Sequence, residues 1–428
     1  MVRDVRIGQL DTAYKKSKLL GLGQSWLKWE LQQHGVETVP PESADVVLAS
    51  VQSQQAIGDL KRELKRNGVN PRRTQVVIGG PGAYAPAVFD GIAAAACVGE
   101  GRRFVATLVE HGLEAAKQLP NAWVPRETRE VIPDADFPWD CPPIKYQDGT
   151  TRLWVSRGCK RKCLFCQTGW ESTYRLTPDV DRVYTDANRL SAQGEHPFPA
   201  SNDQTELDWS RLPPLQHVSA TVVGLRKFLQ QPCLRNVKSI RIGVEGVSER
   251  LRAALHKPIA TSELAQTTQV ALAAGRTLRW FLIAGLPGET DADWQELREI
   301  ILWLKRNVTK GAVMMHFHAF IPHPAAPLSC LPMGDDYWPR FDEFRRWFFD
   351  GPGLTNRVQI MPCAKPPTRL KQAMESMSCL EADLRRGWLN CHSPNERVRY
   401  LGTHETRRHF ARRYMSDLSA IAPTSEAV

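Results

Sequence analysis

Long apolar runs are missing from this sequence of 428 residues. No stretch approaches the roughly 20 apolar residues that a membrane-spanning helix needs, so we expect no membrane partner. The first residues, MVRDVRIGQLDTAYKK, lack the apolar core of a secretory signal peptide. We therefore expect a cytoplasmic protein, in the host cytoplasm if the chain is viral. Internal repeats and low-complexity tracts are absent as well.

The composition is typical of a globular protein of two or three domains, with 42% hydrophobic and 24% charged residues. Ten cysteines in a reducing compartment are not expected to form a disulfide framework. Three of them lie within eight residues of each other, which indicates a metal site. The others are scattered, and Cys363, Cys379 and Cys391 match no compact motif for a second cluster.

Positive charge is in excess. The net charge is +10, and residues 351–428 hold 12 Lys and Arg against 7 Asp and Glu. Such an excess favours an anionic partner, with DNA or RNA among the candidates. Arg407, Arg408, Arg412 and Arg413 have spacings that place Arg408 and Arg412 together on a helix. A solvated basic surface without such a partner is the alternative reading.

The chain begins with alternating strand and helix signals over residues 1–115. Apolar runs at 5–10, 45–50, 75–80 and 94–101 predict strands, and the segments 19–35 and 102–112 predict helices that end in glycine. This alternation predicts an α/β, Rossmann-like, doubly wound domain with a parallel sheet. Residues 116–150 are rich in proline and acidic residues and are expected to be a linker across the surface.

From residue 151 to 345 the alternation resumes. Strand candidates are 152–156, 196–200, 217–223, 238–244, 278–284 and 313–319, with helices at 261–274 and 291–306 and an extended loop at 201–216. Six strands are too few for a closed eight-stranded barrel and favour a partial (β/α)6 barrel. Residues 346–428 form a basic, mixed C-terminal region.

The clustered cysteines are Cys159, Cys163 and Cys166, with the spacing C-x3-C-x2-C. A structural zinc site normally has four protein ligands, and the nearest downstream candidate is His196. An iron–sulfur cluster is the other common site for grouped thiolates. Three protein ligands would leave one iron of a four-iron cluster open to a cofactor or substrate. A zinc-binding nucleic-acid module remains the non-enzymatic alternative.

The motif resembles the radical S-adenosylmethionine (SAM) superfamily, in which an aromatic residue precedes the last cysteine, as Phe165 does here. It follows the first expected barrel strand, RLWVSRG, where that family has it. The resemblance implies a 4Fe-4S cluster, SAM, an external flavodoxin- or ferredoxin-like electron donor, and reductive cleavage of SAM to a 5′-deoxyadenosyl radical that attacks an unactivated C–H bond.

The resemblance also implies SAM contacts. Glu245 in SIRIGVEG corresponds to the residue that binds the SAM ribose, and Lys257 lies near the position that approaches the methionine carboxylate. The other implied contacts are Phe165 beside the cluster, Arg250 in ERLRAALHK, and Ile283 and Gly285 in WFLIAGLPG, which resemble the adenine-binding strand.

The sequence departs from the family pattern after the second barrel strand. FPASNDQTE stands where many relatives have Gly-Gly-Glu, so Asn202 and Asp203 are the candidates to hold the methionine amino group. A second reading of Glu245 is a buried structural acid paired with Arg241 or Arg250, because buried acids need partners.

The N-terminal domain resembles the cobalamin (B12)-binding domain that precedes many radical SAM barrels. The candidate contacts for cobalamin or another ligand are Ser50, Gly79, Gly80 and Gly99, because glycines let the backbone approach a bulky group closely. The Asp-x-His-x-x-Gly motif of other cobalamin proteins is absent, and His34 is expected on the surface. A Rossmann domain that only supports the barrel is the alternative.

Substrate contacts are expected from two places. Lys160, Arg161 and Lys162 lie between the first two cysteines, where they could attract a phosphate-bearing substrate. His316 and His318 share one face of the last barrel strand by period two. A solvated basic loop and structural histidines are the alternatives.

These observations lead to a functional hypothesis. We expect a radical SAM enzyme of isomerase or methyltransferase type, acting on an anionic substrate. The first candidate substrate is a nucleobase or a nucleic-acid-linked group, and the alternative is a cobalamin-dependent methylase of a small molecule or peptide.

Overall fold

The computed structural model describes residues 5–12, 22–52, 57–84, 86–127, 130–146, 148–320, 323, 326–331, 337–351 and 357–361. The N-terminal part contains the strands β1 (Ile7–Asp11), β2 (Val46–Ser50), β3 (Gln75–Gly79), β4 (Ala95–Cys97) and β5 (Ala122–Trp123). Its helices are α1 (Leu22–Gln33), α2 (Ile57–Arg66), α3 (Arg102–His111) and α4 (Leu113–Ala116).

The N-terminal strands form one sheet in the order β1-β2-β3-β4-β5, parallel except for β5. Val39 adds a parallel bridge to Gly8 of β1, which also pairs with Val47 of β2. Val39 therefore lies on the outer edge of β1. The chain passes from β1 to one side, at Val39, and then crosses to β2 on the other. The strand order thus reverses between β1 and β2, and ligands of open α/β sheets bind at the carboxyl ends of strands beside such a reversal.

Both faces of this sheet are covered. Leu31 of α1 and Phe104 of α3 pack with one set of strand residues, and Leu60 and Leu64 of α2 pack with the opposite set. The alternating, β-branched strands are buried on both sides, as a parallel sheet between two helix layers requires. The predicted doubly wound domain is confirmed.

The described residues between 144 and 361 form a partial barrel. Its elements up to residue 200 are β6 (Ile144–Lys145), β7 (Thr150–Trp154), β8 (Ser156–Arg157), α5 (Thr168–Glu171), β9 (Arg175–Leu176), α6 (Val180–Ala192) and β10 (His196–Ala200). The later elements are β11 (Val218–Ala220), α7 (Val222–Phe228), β12 (Ser239–Glu245), α8 (Glu249–Ala254), α9 (Thr261–Ala273), β13 (Thr277–Ala284), α10 (Asp291–Asn307), β14 (Ala312–Ala319), α11 (Tyr337–Asp350) and β15 (Val358–Met361).

The six barrel strands are β7, β10, β11, β12, β13 and β14, as predicted. They fall into two sheets with the orders β10-β7-β6 and β11-β12-β13-β14-β15, and every pair except β6 with β7 is parallel. Period-two burial separates two faces of each strand. In β12, Ile240, Ile242 and Val244 are buried against the helix layer. Arg241 and Glu245 therefore belong to the inward face.

Two local expectations need correction. The strand expected at 217–223 ends at Ala220, because Thr221 caps α7 through a hydrogen bond from the Gly224 backbone to its Oγ1 at 3.2 Å. The expected extended loop at 201–216 contains two 3-10 turns and the fully buried Trp209. β15 adds a parallel strand beyond β14, within the C-terminal region that was expected to be mixed.

The segment 116–150, expected to be a surface linker, is partly built into the fold. β5 pairs with β4 and β6 pairs with β7, and Phe137, Cys141 and Ile144 are buried. This segment therefore contributes side chains to the space between the N-terminal sheet and the barrel. The four tail arginines and Cys363, Cys379 and Cys391 lie outside the described residues. In the part of the chain that the structure describes, no helix is long and apolar enough to cross a membrane.

Candidate cluster and cofactor site

The cysteine loop begins where the first barrel strand ends. Gly158, between β8 and Cys159, has φ +68°, and a Cβ there would lie 2.7 Å from the Thr173 carbonyl oxygen. Only glycine fits this turn without strain. The turn leads the chain into the three cysteines, of which Cys163 is buried while Cys159 and Cys166 are partly exposed.

The three thiols are close enough to affect one another. Burial raises the pKa of Cys163 to about 11, the positive charge of Lys257 acts in the opposite direction, and the charges of Cys166 and Cys159 raise it further. Burial also raises the pKa of Cys159, against a hydrogen bond from the Arg161 backbone. Thiolates in such a place need a cation, and a metal centre supplies one.

The arrangement differs from a site for a single ion. Among the described residues, no group of three or more His, Cys, Asp or Glu side chains could hold one metal ion. A four-iron cluster makes a different demand, because each thiolate ligates a separate iron. The donor set is also all thiolate, which is the usual set for iron–sulfur clusters. By donor type, the three cysteines fit an iron–sulfur cluster.

Lys160 does not project freely towards a substrate. Its Nζ lies 3.2 Å from a carboxylate oxygen of Glu206 and 4.7 Å from the centre of the Tyr174 ring. The Tyr174 hydroxyl donates to the other Glu206 oxygen at 2.8 Å. Glu206 therefore neutralises the charge that was expected to attract an anionic substrate.

The other two cations of the loop also have internal partners. Arg161 pairs with Asp203 at 3.5 Å, and Lys162 donates to the Gly169 carbonyl. These contacts fix the loop against its neighbours, and a role of the three cations in attracting a substrate stays a prediction. The pairing also joins Asp203, a candidate SAM contact, to the cysteine loop.

Glu245 and Lys257 form an ion pair beside the cluster loop. Lys257 Nζ lies 2.7 Å from Glu245 Oε1, and the two side chains are only 11% and 15% exposed. The charges of both act on the Cys163 thiol. Glu245 is therefore paired with Lys257, and the alternative of an ion pair with Arg241 or Arg250 is wrong.

The backbone around Glu245 is unusual. Glu245 has φ +71°, and the register with β13 shifts between Gly243 and Glu245. A left-handed conformation in a residue other than glycine is strained, and such strain concentrates at functional sites. A Cβ at Gly243 would collide with Glu245 Oε1 and would lie 2.5 Å from Lys257 Nζ. Gly243 thus leaves room for the ion pair.

The segment after the second barrel strand reaches the same loop. Asn202 donates to the Gly158 carbonyl at 2.7 Å, and the hydroxyls of Ser201 and Ser156 lie 2.8 Å apart. A cavity of about 160 Å³ is lined by this segment together with Cys159. The residues that replace the Gly-Gly-Glu pattern of many relatives therefore lie beside the cluster cysteines.

Arg250 and Gly285, two of the expected SAM contacts, bond to carboxylates near the start of α10. Arg250 pairs with Asp293 at 2.5 Å and donates to the Gly288 carbonyl, so it contacts the start of α10 rather than the other candidate residues. Gly285, with φ +81°, donates its backbone N–H to the buried carboxylate of Glu289 at 3.0 Å. Ile283 lies two residues before Gly285 on the inward face of β13.

The histidines of β14 do share a face. Both rings stack on Phe281, His316 with a centroid distance of 4.9 Å and His318 with 5.8 Å. Nε2 of His316 is buried and has no hydrogen-bond partner in the part of the chain that the structure describes. These rings therefore lie on the inward face of the barrel.

A larger cavity, of about 400 Å³, lies between the N-terminal sheet and the barrel. It opens at the carboxyl ends of β2, β3 and β4, beside the reversal in strand order. All four residues expected to contact cobalamin line it: Ser50, Gly79, Gly80 and Gly99. His34 directly follows α1 and is only partly exposed. Its Nε2 atom lies 3.6 Å from Oε1 of Glu30.

Sequence reasoning missed the other wall of this cavity. The presumed linker contributes Phe137 and Tyr146 to it. Trp154 of β7 and Arg157 of β8 complete this wall. No spacing connects these residues to the glycines of the N-terminal sheet. The cluster of aromatic residues in FPWD and KYQD was the available signal.

No protein-family model and no curated protein matches this chain. Among solved structures it is similar to the cobalamin-dependent S-adenosylmethionine radical enzyme OxsB with aqua-cobalamin and S-adenosylmethionine bound, with a TM-score of 0.52 and 13% identity over 83% of this chain. Apo OxsB gives a TM-score of 0.50 and 14% identity over 87% of this chain. The radical SAM methyltransferase TsrM from Kitasatospora setae has a TM-score of 0.49 and 14% identity, over 72% of each chain.

The chain spans 58% of the length of OxsB in the cobalamin- and SAM-bound structure and 61% in the apo structure. At this level of identity the similarity concerns the fold. In this chain the similar region consists of a doubly wound α/β domain followed by a partial barrel. The chain therefore shares the fold of the corresponding part of OxsB.

Proposed function

We propose that this protein is a radical SAM enzyme. The observation that carries the proposal is the position of Cys159, Cys163 and Cys166 in one loop after the first barrel strand, beside the buried Glu245–Lys257 pair. A three-thiolate loop gives a four-iron cluster one open iron. A buried carboxylate and ammonium next to that loop match the ribose and the methionine carboxylate of SAM.

The residues of this chain have separate roles in the proposal. Glu245 accepts hydrogen bonds from the ribose hydroxyls, and Lys257 holds Glu245 and faces the methionine carboxylate. Asn202 and Asp203 bind the amino group, and Ile283 and Gly285 contact the adenine. When bound, a reduced cluster supplies the electron that splits SAM into methionine and a 5′-deoxyadenosyl radical. An external flavodoxin- or ferredoxin-like donor has to supply that electron.

We also propose cobalamin as a second cofactor. The cavity of about 400 Å³ lies at the carboxyl ends of β2–β4 and is walled by Trp154 and Arg157 of the barrel. Gly79 and Gly80 let the backbone form its floor without side chains. Cobalamin would supply a group that can carry a methyl or exchange electrons, which favours the methyltransferase form of the enzyme.

The substrate is proposed to be anionic. The net charge of +10 supports this class, and a nucleobase or a nucleic-acid-linked group is the more specific proposal. The internal pairing of Lys160 with Glu206 and of Arg161 with Asp203 weakens the case for a long polyanion at the cluster loop. The basic tail, which lies outside the described residues, is the other support for nucleic acid.

The proposal is tested by reconstituting the protein without oxygen, with iron and sulfide, and by measuring its metal content. We expect about four irons and matching sulfide per chain, because three thiolates with an open iron describe such a cluster. A broad visible absorption, as iron–sulfur clusters show, should accompany it. Zinc without iron or sulfide would contradict the proposal and favour a zinc-binding module.

A further inference from the structure

The inward faces of the middle barrel strands carry two arginines in register. Arg241 of β12 pairs in the sheet with Arg279 of β13. On both strands the alternate residues, such as Ile240 and Trp280, are fully buried against the helix layer. The two guanidinium groups therefore lie side by side on the inner face of the partial barrel.

Arg152 and two histidines, His217 and His316, lie close to this pair. Burial lowers the pKa of His217, and among the charges that act most on it three are arginines, Arg241, Arg152 and Arg279, while one is Asp148. Burial also lowers the pKa of His316, and Arg279 and Arg241 lower it further. Asp148 pairs with Arg152 at 2.5 Å. The group as a whole keeps an excess of positive charge.

Single nitrogen atoms of three of these side chains lack hydrogen-bond partners in the described structure. The Nε atoms of Arg152 and Arg279 and Nε2 of His316 are buried without a hydrogen-bond partner among the described residues. Arg152 as a whole is only 9% exposed. Within the same described ranges, neither Arg241 nor Arg279 has a recorded ion pair. Arg241 and Arg279 are partly buried and lie close together without a counter-ion in the described part of the chain, so an anion that binds between them relieves the repulsion of their charges.

We propose that an oxyanion of the substrate, a carboxylate or a phosphate, binds inside the barrel. The residues that bind it are Arg152, Arg241, Arg279, His217 and His316. Guanidinium groups suit this role because each can donate two parallel hydrogen bonds to such an anion. The inference rests on the proposed function, since it names the substrate class of the same barrel. It goes beyond that function by placing an anion site away from the cluster loop.

The spacing along β12 relates this anion site to the proposed SAM site. Arg241 and Glu245 are four residues apart on β12, which corresponds to about 13 Å along a strand that rises about 3.3 Å per residue. The anionic group therefore binds within about that distance, measured along the strand, of the carboxylate proposed for the SAM ribose. A substrate held inside the barrel in this way carries an acidic group that reaches the inner face of β12 and β13. A polymer bound along the outer surface would not use these residues.

The test is a titration of the reconstituted full-length protein with inorganic phosphate and, separately, with acetate, in a buffer free of other oxyanions. Arg241→Gln and Arg279→Gln remove one guanidinium each. We expect saturable binding of at least one anion to the wild type, and at least tenfold weaker binding in both variants, since each loses a charge-assisted hydrogen bond. Tighter binding of phosphate or of acetate identifies which oxyanion the substrate carries.

The matched control is Arg346→Gln, which removes the same charge from a side chain that is 69% exposed and paired with Asp342. It should bind the anions like the wild type. Without any anion, Arg241→Gln and Arg279→Gln should melt at a higher temperature than the wild type, because they relieve repulsion between like charges.

The inference is overturned if all proteins bind the anions equally, if neither anion binds saturably, or if both variants melt at a lower temperature in the anion-free buffer. SAM cleavage is measured in parallel and keeps the two proposals apart. Loss of anion binding in the variants, in a protein that cannot cleave SAM, would contradict the proposed function while supporting the anion site.

Discussion

Glu100 and Arg157 connect the N-terminal sheet to the cluster loop. Glu100 lies just after β4, and its carboxylate accepts hydrogen bonds from Arg157 Nε at 2.9 Å and from a terminal nitrogen of Arg157 at 3.2 Å. Arg157 is separated from Cys159 only by the glycine turn. Arg175 of β9 donates to the same carboxylate at 3.3 Å. The cavity of about 400 Å³, which Glu100 and Arg157 line, and the cysteine loop therefore share one ion-pair network.

Glu100→Gln is expected to destabilise the protein by about 1–3 kcal/mol, because it leaves two arginines without a charged acceptor at a site where Glu100 is only 10% exposed. Urea unfolding of the reconstituted protein measures the difference. Glu114→Gln is the control, since Glu114 pairs with Lys117 but is 84% exposed, and its loss should cost under about 0.5 kcal/mol. Equal effects of the two substitutions would contradict the proposed importance of the Glu100 network.

Gly243→Ala should weaken SAM binding about tenfold or more, because the added methyl group displaces the Glu245–Lys257 pair. Equilibrium dialysis with SAM measures the dissociation constant. Gly58→Ala is the matched control, because a Cβ at this helical glycine meets nothing within 4 Å. The same dissociation constant in all three proteins would show that the pair is structural and does not contact SAM.

Gly79→Phe should prevent cobalamin binding. A Cβ at Gly79 meets nothing within 4 Å, and Gly79 lines the cavity of about 400 Å³, so the larger side chain fills the cavity without a backbone clash. The measurement is the visible absorption of cobalamin retained after gel filtration. Gly58→Phe carries the same substitution on an exposed helix position and should retain cobalamin. Retention of cobalamin by Gly79→Phe would mean that cobalamin binds outside this cavity.

Glu289 predicts a pH dependence of stability. Burial raises the pKa of its carboxyl group to about 7, against hydrogen bonds from the Trp294 indole and the Gly285 backbone. The folded protein therefore holds this proton more tightly than the unfolded chain. The resulting stabilisation is complete below about pH 4.5 and is lost as the pH rises through about 7.

Glu289→Gln cannot titrate and should lack this dependence. The free energy of unfolding of the wild type minus that of the variant should fall by about 3 kcal/mol between acidic and slightly alkaline pH. Urea unfolding at several pH values measures this difference. Glu299→Gln, on the exposed side of α10, should show no such slope relative to the wild type. A difference that does not change with pH would mean that folding does not raise the pKa of Glu289.

The sequence was sufficient for the features with a local signal. Alternating apolar residues predicted β12, β13 and β14 within one or two residues, and the cysteine spacing predicted the cluster loop. The inward arginines also had a local signal, since Arg241 and Arg279 interrupt otherwise apolar runs at period two. One charged residue in a strand, however, does not reveal that its neighbour across the sheet carries the same charge.

Contacts between distant segments could not be predicted. The reversal in strand order depends on a single bridge at Val39, which has no periodic pattern around it. The partners of Lys160 and Arg161 come from the loop after the second barrel strand, more than 40 residues later. Glu100 meets Arg157 across 57 residues. Such pairings follow from the packing of whole elements and are absent from local sequence patterns.

The central claim is that Cys159, Cys163 and Cys166 hold a cluster that cleaves SAM. The most direct measurement is the formation of 5′-deoxyadenosine from SAM, followed by mass spectrometry, in the reconstituted and chemically reduced protein without oxygen. The account predicts that the wild type forms this product and that alanine at any one of the three positions abolishes it, while Cys233→Ala, a buried cysteine away from the loop, retains it. Formation of 5′-deoxyadenosine by a variant lacking all three cysteines, or its absence from a wild-type protein with a full complement of iron and sulfide, would contradict the account.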